Sequence, residues 1–223
     1  MTYFTADFIL FFQELAANNN RDWFNDNKKR YEKSVKKPFA EFVKALIEAA
    51  QKIDERIDIE PKQAIFRIYR DIRFSKDKTP YKIFASAMVA PGGRKSMDIP
   101  AGFYLEAHPE HLRLYNGLYR VSKDNLQKVR TAIIEQPKRF EALINDKAFK
   151  QHFGEIQGEK NKRIPKEFKA AAETQPLIVN KQFYYYTSFD IDTLLEEDVI
   201  EKIMKAYQVS KPLSEFFEEA IVG

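Results

Sequence analysis

The stretch Gly102-Phe103-Tyr104-Leu105-Glu106-Ala107-His108-Pro109-Glu110-His111-Leu112-Arg113-Leu114-Tyr115-Asn116-Gly117-Leu118-Tyr119 decides the fold. From Gly102 to Ala107 the side chains alternate, with Phe103 and Leu105 to one side and Tyr104 and Glu106 to the other. That period of two marks a strand with one face on a core. His108-Pro109-Glu110 reads as a turn into a second strand, Leu112 to Tyr119. Upstream, Ile83 to Ala90 reads as a mostly buried strand stopped by Pro91-Gly92-Gly93, and Ala64 to Tyr69 is β-prone. Downstream, Phe183 to Phe189 is a last strand candidate, preceded by a shorter one at Leu177 to Val179. Strands separated by short turns predict an antiparallel sheet, mixed at most, of about four to six strands.

Helical patterns flank this block. Thr5 stands as N-cap before Phe8, Ile9, Phe12 and Leu15, and Asn18-Asn19-Asn20 closes that helix while Asn20 caps the next. Trp23, Phe24, Asn27 and Tyr31 follow at spacings of three and four, which places them on one helical face. Pro38 opens an amphipathic helix with Phe39, Phe42, Val43, Leu46, Ile47, Ala50 and Ile53 as its apolar stripe. Ser122 caps a helix through Leu126, Val129 and Ile133, and Pro137 opens a short successor. A helical pattern from Leu194 to Tyr207 ends the chain, with Pro212 starting a final short turn or helix. N-terminal, middle and C-terminal helices around a strand block predict one α+β domain over residues 1–223.

Composition narrows the chemistry. The 223 residues, 44% of them apolar, are enough to bury a sizeable core without staples. There is no cysteine, which removes disulfides, zinc ribbons and thiolate nucleophiles and fits a reducing compartment. The early apolar run Phe8-Ile9-Leu10-Phe11-Phe12 has no basic residues before it and lacks the form of a signal peptide. No stretch reaches the roughly 20 apolar residues of a membrane span. A cytoplasmic protein with no membrane partner is the expectation.

The net charge is only +4, but its distribution is uneven. Arg21 to Lys37 holds seven basic and three acidic residues, and Arg67 to Lys82 holds six basic and two acidic. Phe189 to Gly223 holds three basic and nine acidic. In the second segment Arg67, Arg70 and Arg73 recur every third residue, followed by Ser75, Lys76, Asp77, Lys78, Thr79 and Tyr81. Guanidinium forks match phosphate and carboxylate oxygens, lysines add mobile charge, and Asp71 and Asp77 orient cations or exchange protons. The bland alternative is ion pairing with the acidic C-terminal region, within the chain or across a homodimer.

Two motifs carry a resemblance. Asn20-Arg21-Asp22-Trp23-Phe24 with Asn27-Lys28 and Tyr31-Glu32 resembles the opening motif of the mainly bacterial family catalogued as domain of unknown function 2461. Arg67-x-x-Arg70-Asp71-x-Arg73-Phe74, with Lys76-Asp77-Lys78, Pro80-Tyr81-Lys82 and Gly102-Phe103-Tyr104-Leu105, resembles its hallmark. The likeness covers essentially the whole chain and implies that the chain is one unit in which the two motifs meet in space. It implies no activity, substrate or cofactor.

The expected site is therefore a cleft floored by Arg67, Arg70, Asp71, Arg73, Lys76, Lys78 and Tyr81, walled by Trp23, Asn27 and Tyr31, with Tyr104 on the adjoining strand. Its expected occupant is a phosphate-bearing or other anionic small molecule. Nucleic acid on a basic stripe is the second reading, and a structural ion-pairing role the third. No cofactor is expected. His108-Pro109-Glu110-His111 offers only part of a ligand set on a surface turn, so no metal is expected either. Gly92-Gly93-Arg94-Lys95-Ser96 lacks phosphate-loop spacing and reads as a mobile hairpin tip. Phe183-Tyr184-Tyr185-Tyr186 resembles a base-stacking platform, with Tyr184 and Tyr186 outward and Phe183 and Tyr185 inward, although strand packing explains it more simply.

Overall fold

A computed structural model describes residues 2–96 and 100–223. The alternating stretch forms β2 (Phe103–His108) and β3 (His111–Leu118), which follow β1 (Ala85–Val89) and precede β4 (Phe183–Phe189). The four strands pair antiparallel in the order β1-β2-β3-β4, with Leu105 opposite Leu114 and Tyr115 opposite Tyr186. Phe103, Leu105, Leu112, Leu114, Leu118, Phe183 and Tyr185 are buried on the inner face. Tyr104, Glu106, Arg113, Tyr115, Tyr184 and Tyr186 stand half-buried on the outer face. The fold is α+β, as the alternation predicts.

The N-terminal helices are α1 (Ala6–Ala17), α2 (Arg21–Asp26), α3 (Lys28–Tyr31) and α4 (Lys37–Gln51). The N-cap of α2 forms as expected, with Asn20 Oδ1 accepting from the Trp23 N–H at 3.0 Å. The second helix is not one continuous face, however. It stops at Asn27, and a π-helical turn at Glu32–Lys36 joins α3 to α4. The stripe from Phe39 to Ala50 is buried as its spacing predicts. It meets Phe4, Phe8, Phe11 and Phe12 in an aromatic cluster.

The β-prone Ala64–Tyr69 segment is not a strand. α5 (Pro61–Ala64) occupies its start, with the Glu60 N–H held by Gln63 Oε1 at 2.8 Å. Extended chain follows, held by the single bridges Ile65 to Ala87 and Tyr69 to Tyr81. Pro80 has no N–H with which to extend a ladder. Leu177 to Val179 is likewise not a strand but part of a 3₁₀ turn, Pro176–Val179, begun by the fixed φ of Pro176.

The middle and C-terminal helices are α6 (Lys123–Glu135), α7 (Pro137–Ile144), α8 (Lys147–Phe153), α9 (Lys169–Thr174) and α10 (Val199–Val222). α10 starts after a 3₁₀ turn at Ile191–Leu195 and continues through Pro212, where the sequence predicts a break. Tertiary packing overrides the proline. Leu213, Phe216 and Phe217 are buried beyond it, and Phe217 meets Phe183 of the sheet at 5.6 Å. Tyr207 packs on Phe103 at 5.0 Å, so α10 crosses the inner face and leaves the outer face to the 65–84 segment. Among the described residues no helix is long and apolar enough to cross a membrane.

Candidate functional site

The 65–84 segment leaves β1 backwards as an extended loop. Arg70 N–H donates to the Pro80 carbonyl at 2.9 Å and Lys82 N–H to the Ile68 carbonyl at 2.8 Å, which closes the loop's base. Asn19 pins that base from the helical side. Its amide donates to the Tyr81 carbonyl at 2.9 Å and accepts the Tyr81 N–H at 3.1 Å. The Tyr81 ring stacks on Phe24 at 4.1 Å and is buried. The two motifs therefore do meet in space, through Phe24 and Tyr81, with Asn19, just before the first motif, pinning the same point.

A cleft of about 1190 Å³ opens along this segment. Its lining includes six basic side chains, Arg67, Arg70, Lys82, Arg94, Lys95 and Arg120, and two acidic ones, Asp71 and Asp77. Both acids are already engaged. Asp71 accepts from Arg73 at 2.7 and 3.0 Å, while Asp77 accepts from Arg70 and from the Thr79 N–H. Hydrogen bonds from Arg73 hold the Asp71 carboxyl down to about 2. The Thr79 N–H and then Arg70 do the same for Asp77, also to about 2. These carboxylates are therefore ionised near neutrality and hydrogen-bonded to the loop's own cations and N–H groups.

The cations divide into two groups. Arg70 is clamped by Asp77 and Thr79, and Arg94 donates to the carbonyls of Gln63 and Lys62 at 3.0 and 2.8 Å. Those carbonyls carry no full charge, so Arg94 keeps its own. Arg67, Lys82, Lys95 and Arg120 have no hydrogen-bond or ion-pair partner among the described residues. Burial, and then the neighbouring Arg67 charge, push the Lys82 ammonium below its usual range. In the acidic C-terminal region, Glu218 pairs with Arg56 at 2.7 Å and Glu219 with Arg139 at 2.6 Å. In the basic Arg21–Lys37 stretch, Arg30 is bonded to Asp7 and Glu14, both at 2.6 Å.

The other expected residues fall as follows. Arg73 lies outside the cleft lining, beside the Phe74 ring, which is 94% exposed. Lys76 is exposed, and Lys78 donates to the Ile72 carbonyl at 2.9 Å. The expected wall of Trp23, Asn27 and Tyr31 does not border this cleft. Trp23 packs on Phe11 at 5.6 Å, and the Asn27 amide donates to the Trp23 carbonyl at 3.0 Å, closing the helix end. Tyr31 lies 5.2 Å from Phe24, its phenol pushed up to about 12 by burial, and borders a neighbouring hollow shared with Arg67. Arg94, Lys95, Arg120 and Asn19 take the wall's place. The glycine-rich turn supplied the one available signal for two of them. It is not a free tip: Gly93 is buried against α5, where a Cβ would lie 2.6 Å from the Gln63 carbonyl.

Tyr104 borders a second hollow, on the outer sheet face, which meets the cleft at Phe66 and Lys82. Farther along that face His108, Glu110 and His111 bring ligand atoms within 4.8 Å of one another. The two imidazoles are stacked at 4.7 Å and 15°. His111 Nε2 lies 3.2 Å from Glu106 Oε1, and His108 Nδ1 accepts the Glu110 N–H at 3.2 Å.

Comparison with known proteins gives one family. The family model described as conserved hypothetical protein (DUF2461) matches residues 7–216, and the chain belongs to that family. No curated protein and no solved structure matches the chain.

Proposed function

We propose, taking membership of this family as the premise, that the chain binds a phosphate-bearing or otherwise anionic small molecule in the basic cleft. The observation that carries this reading is the set Arg67, Lys82, Lys95 and Arg120, which line one cleft with no directly hydrogen-bonded or ion-paired carboxylate among the described residues, Asp71 and Glu106 acting on Arg67 and Lys82 only from a distance. Cations held together repel, so an arrangement that leaves them unneutralised favours an anion from outside. Arg70 and Arg94, fixed by Asp77 and by backbone carbonyls, supply oriented forks at the same cleft.

Calorimetric titration with inorganic pyrophosphate at low ionic strength tests this. Saturable binding is expected, weakened roughly tenfold or more in Arg67→Ala, since a charge-assisted hydrogen bond contributes about 1.5–3 kcal/mol. Absence of binding by the wild type, or equal binding by the variant, would end the reading. Nucleic acid remains the second reading. The engagement of Arg30 by Asp7 and Glu14 leaves the basic helix fewer free cations for a continuous stripe.

A further inference from the structure

The hollow that meets the cleft has a lining unlike it. It encloses about 450 Å³ and is walled by Phe66, Tyr104, Tyr115, Tyr119 and Tyr184. Its floor includes Gly102 and Gly117, so no side chain rises there from the ends of β2 and β3. Both glycines have positive φ, and a Cβ would lie 2.0 Å from the Val89 carbonyl at Gly102 and 2.2 Å from the Phe183 carbonyl at Gly117. The bare floor is thus fixed by the close approach of neighbouring chain, and no other residue type fits without displacement.

The aromatic side chains are held in place by one another. Phe66 meets Tyr104 edge-on at 5.7 Å, Tyr104 lies 5.8 Å from Tyr115, and Tyr119 meets Tyr184 edge-on at 5.3 Å. Cross-strand register places Tyr104 opposite Tyr115 and Gly117 opposite Tyr184, so the slot spans β2, β3 and β4. Rings around a bare floor suit a flat unsaturated occupant, because every planar heterocycle presents a π-face to stack. Glu106 also lines the hollow, and although its Oε1 lies 3.2 Å from His111 Nε2, its remaining lone pairs can accept from ring or sugar donors.

The junction with the cleft makes the class of ligand specific. Phe66 and Lys82 line both hollows. Lys82 Nζ lies 5.1 Å and the Arg94 guanidinium 5.9 Å from the Phe66 ring centre, so cationic and aromatic walls join at one side chain. We infer that the ligand joins a planar ring to a phosphate, as a nucleotide does, with the ring in the tyrosine slot and the phosphate among the cleft cations. The inference rests on the anion-binding reading and extends it. A free nucleotide and the end of a single strand present the same pair of groups.

The full chain is titrated with inorganic pyrophosphate, adenosine diphosphate and a short oligothymidylate, in wild type and in Tyr119→Ser and Tyr115→Leu. Tyr119 is 57% exposed, so its replacement leaves the core intact. Adenosine diphosphate is expected to bind the wild type about tenfold or more tighter than pyrophosphate, on the scale of one stacked base. The tyrosine variants should erase most of that advantage and leave pyrophosphate binding unchanged. Tighter binding of the oligothymidylate, lost in the same variants, would support the ring-and-phosphate pair and give its source as a strand. Pyrophosphate binding with no gain from the nucleoside, in either diphosphate or strand, would overturn this inference while leaving anion binding standing. Failure of all three probes would overturn both.

Discussion

Asn116 and Lys82 are polar residues on opposite sides of one sheet, and their surroundings differ completely. The Asn116 carboxamide, on the inner face, donates to Ser210 at 2.8 Å and accepts from Ser214 at 2.8 Å and from the Gly117 N–H at 2.6 Å. Tyr185 completes the network through the Ser210 carbonyl and the Ser214 hydroxyl, both at 3.0 Å. Lys82, beside the outer face, has rings around it and no hydrogen-bond or ion-pair partner among the described residues. Burial without a partner disfavours its charge, whereas the inner network satisfies its members. The inner network is closed among its own members. Lys82 and its cationic neighbours along the cleft have no such closed set among the described residues.

Breaking the inner network should therefore destabilise the fold, and breaking the outer set should not. Asn116→Leu leaves the buried Gly117 N–H without its acceptor and takes one partner each from Ser210 and Ser214, which keep Tyr207 and Tyr185, and is expected to cost about 3 kcal/mol by urea denaturation, on the scale of an unmet buried polar group. Tyr185→Phe removes one hydroxyl and is expected to cost about 1–2 kcal/mol in the same measurement. Arg67→Ala should leave stability within about 0.5 kcal/mol, as expected for an exposed residue with no partner to lose. A large loss there would place Arg67 with the inner group.

The smallest effect concerns acid. Asp71 and Asp77 have folded pKa values of about 2, below the ordinary 3.8. Depressed carboxylates contribute stability that is fully present above the unfolded value and is lost as pH falls through the folded one. The loop's ion pairs should thus persist at pH 4 and open only as pH falls through about 2, while the stability they contribute declines from about pH 4 downward. Carboxylate chemical shifts of the two side chains report this, and ordinary titration near 3.8 would refute the clamped loop.

The part of the fold governed by local periodicity was legible in the sequence. The Gly102–Tyr119 alternation marks the central hairpin, and the Phe39–Ala50 stripe marks the long buried helix. Tyr184 and Tyr186 face outward and Phe183 and Tyr185 inward because a strand alternates regardless of what covers it. The expected wall of Trp23, Asn27 and Tyr31 assumed an unbroken turn of 3.6 residues, and the helix ends at Asn27. Arg120 lines the cleft from beyond β3, and Asn19 reaches it through a long-range bond to Tyr81; no local pattern encodes either placement. Pro212 is tolerated because the burial of Phe216 and Phe217 outweighs one missing hydrogen bond.

The central claim is that the cleft cations are held open for an anion, and the Lys82 ammonium reports on it directly. Titrating its side-chain NMR signal with pH, in the free protein and with pyrophosphate, measures the charge state at the junction of the two hollows. The account predicts a value below the ordinary 10.5 in the free protein and a rise when pyrophosphate is added. An ordinary value that pyrophosphate leaves unmoved would contradict it.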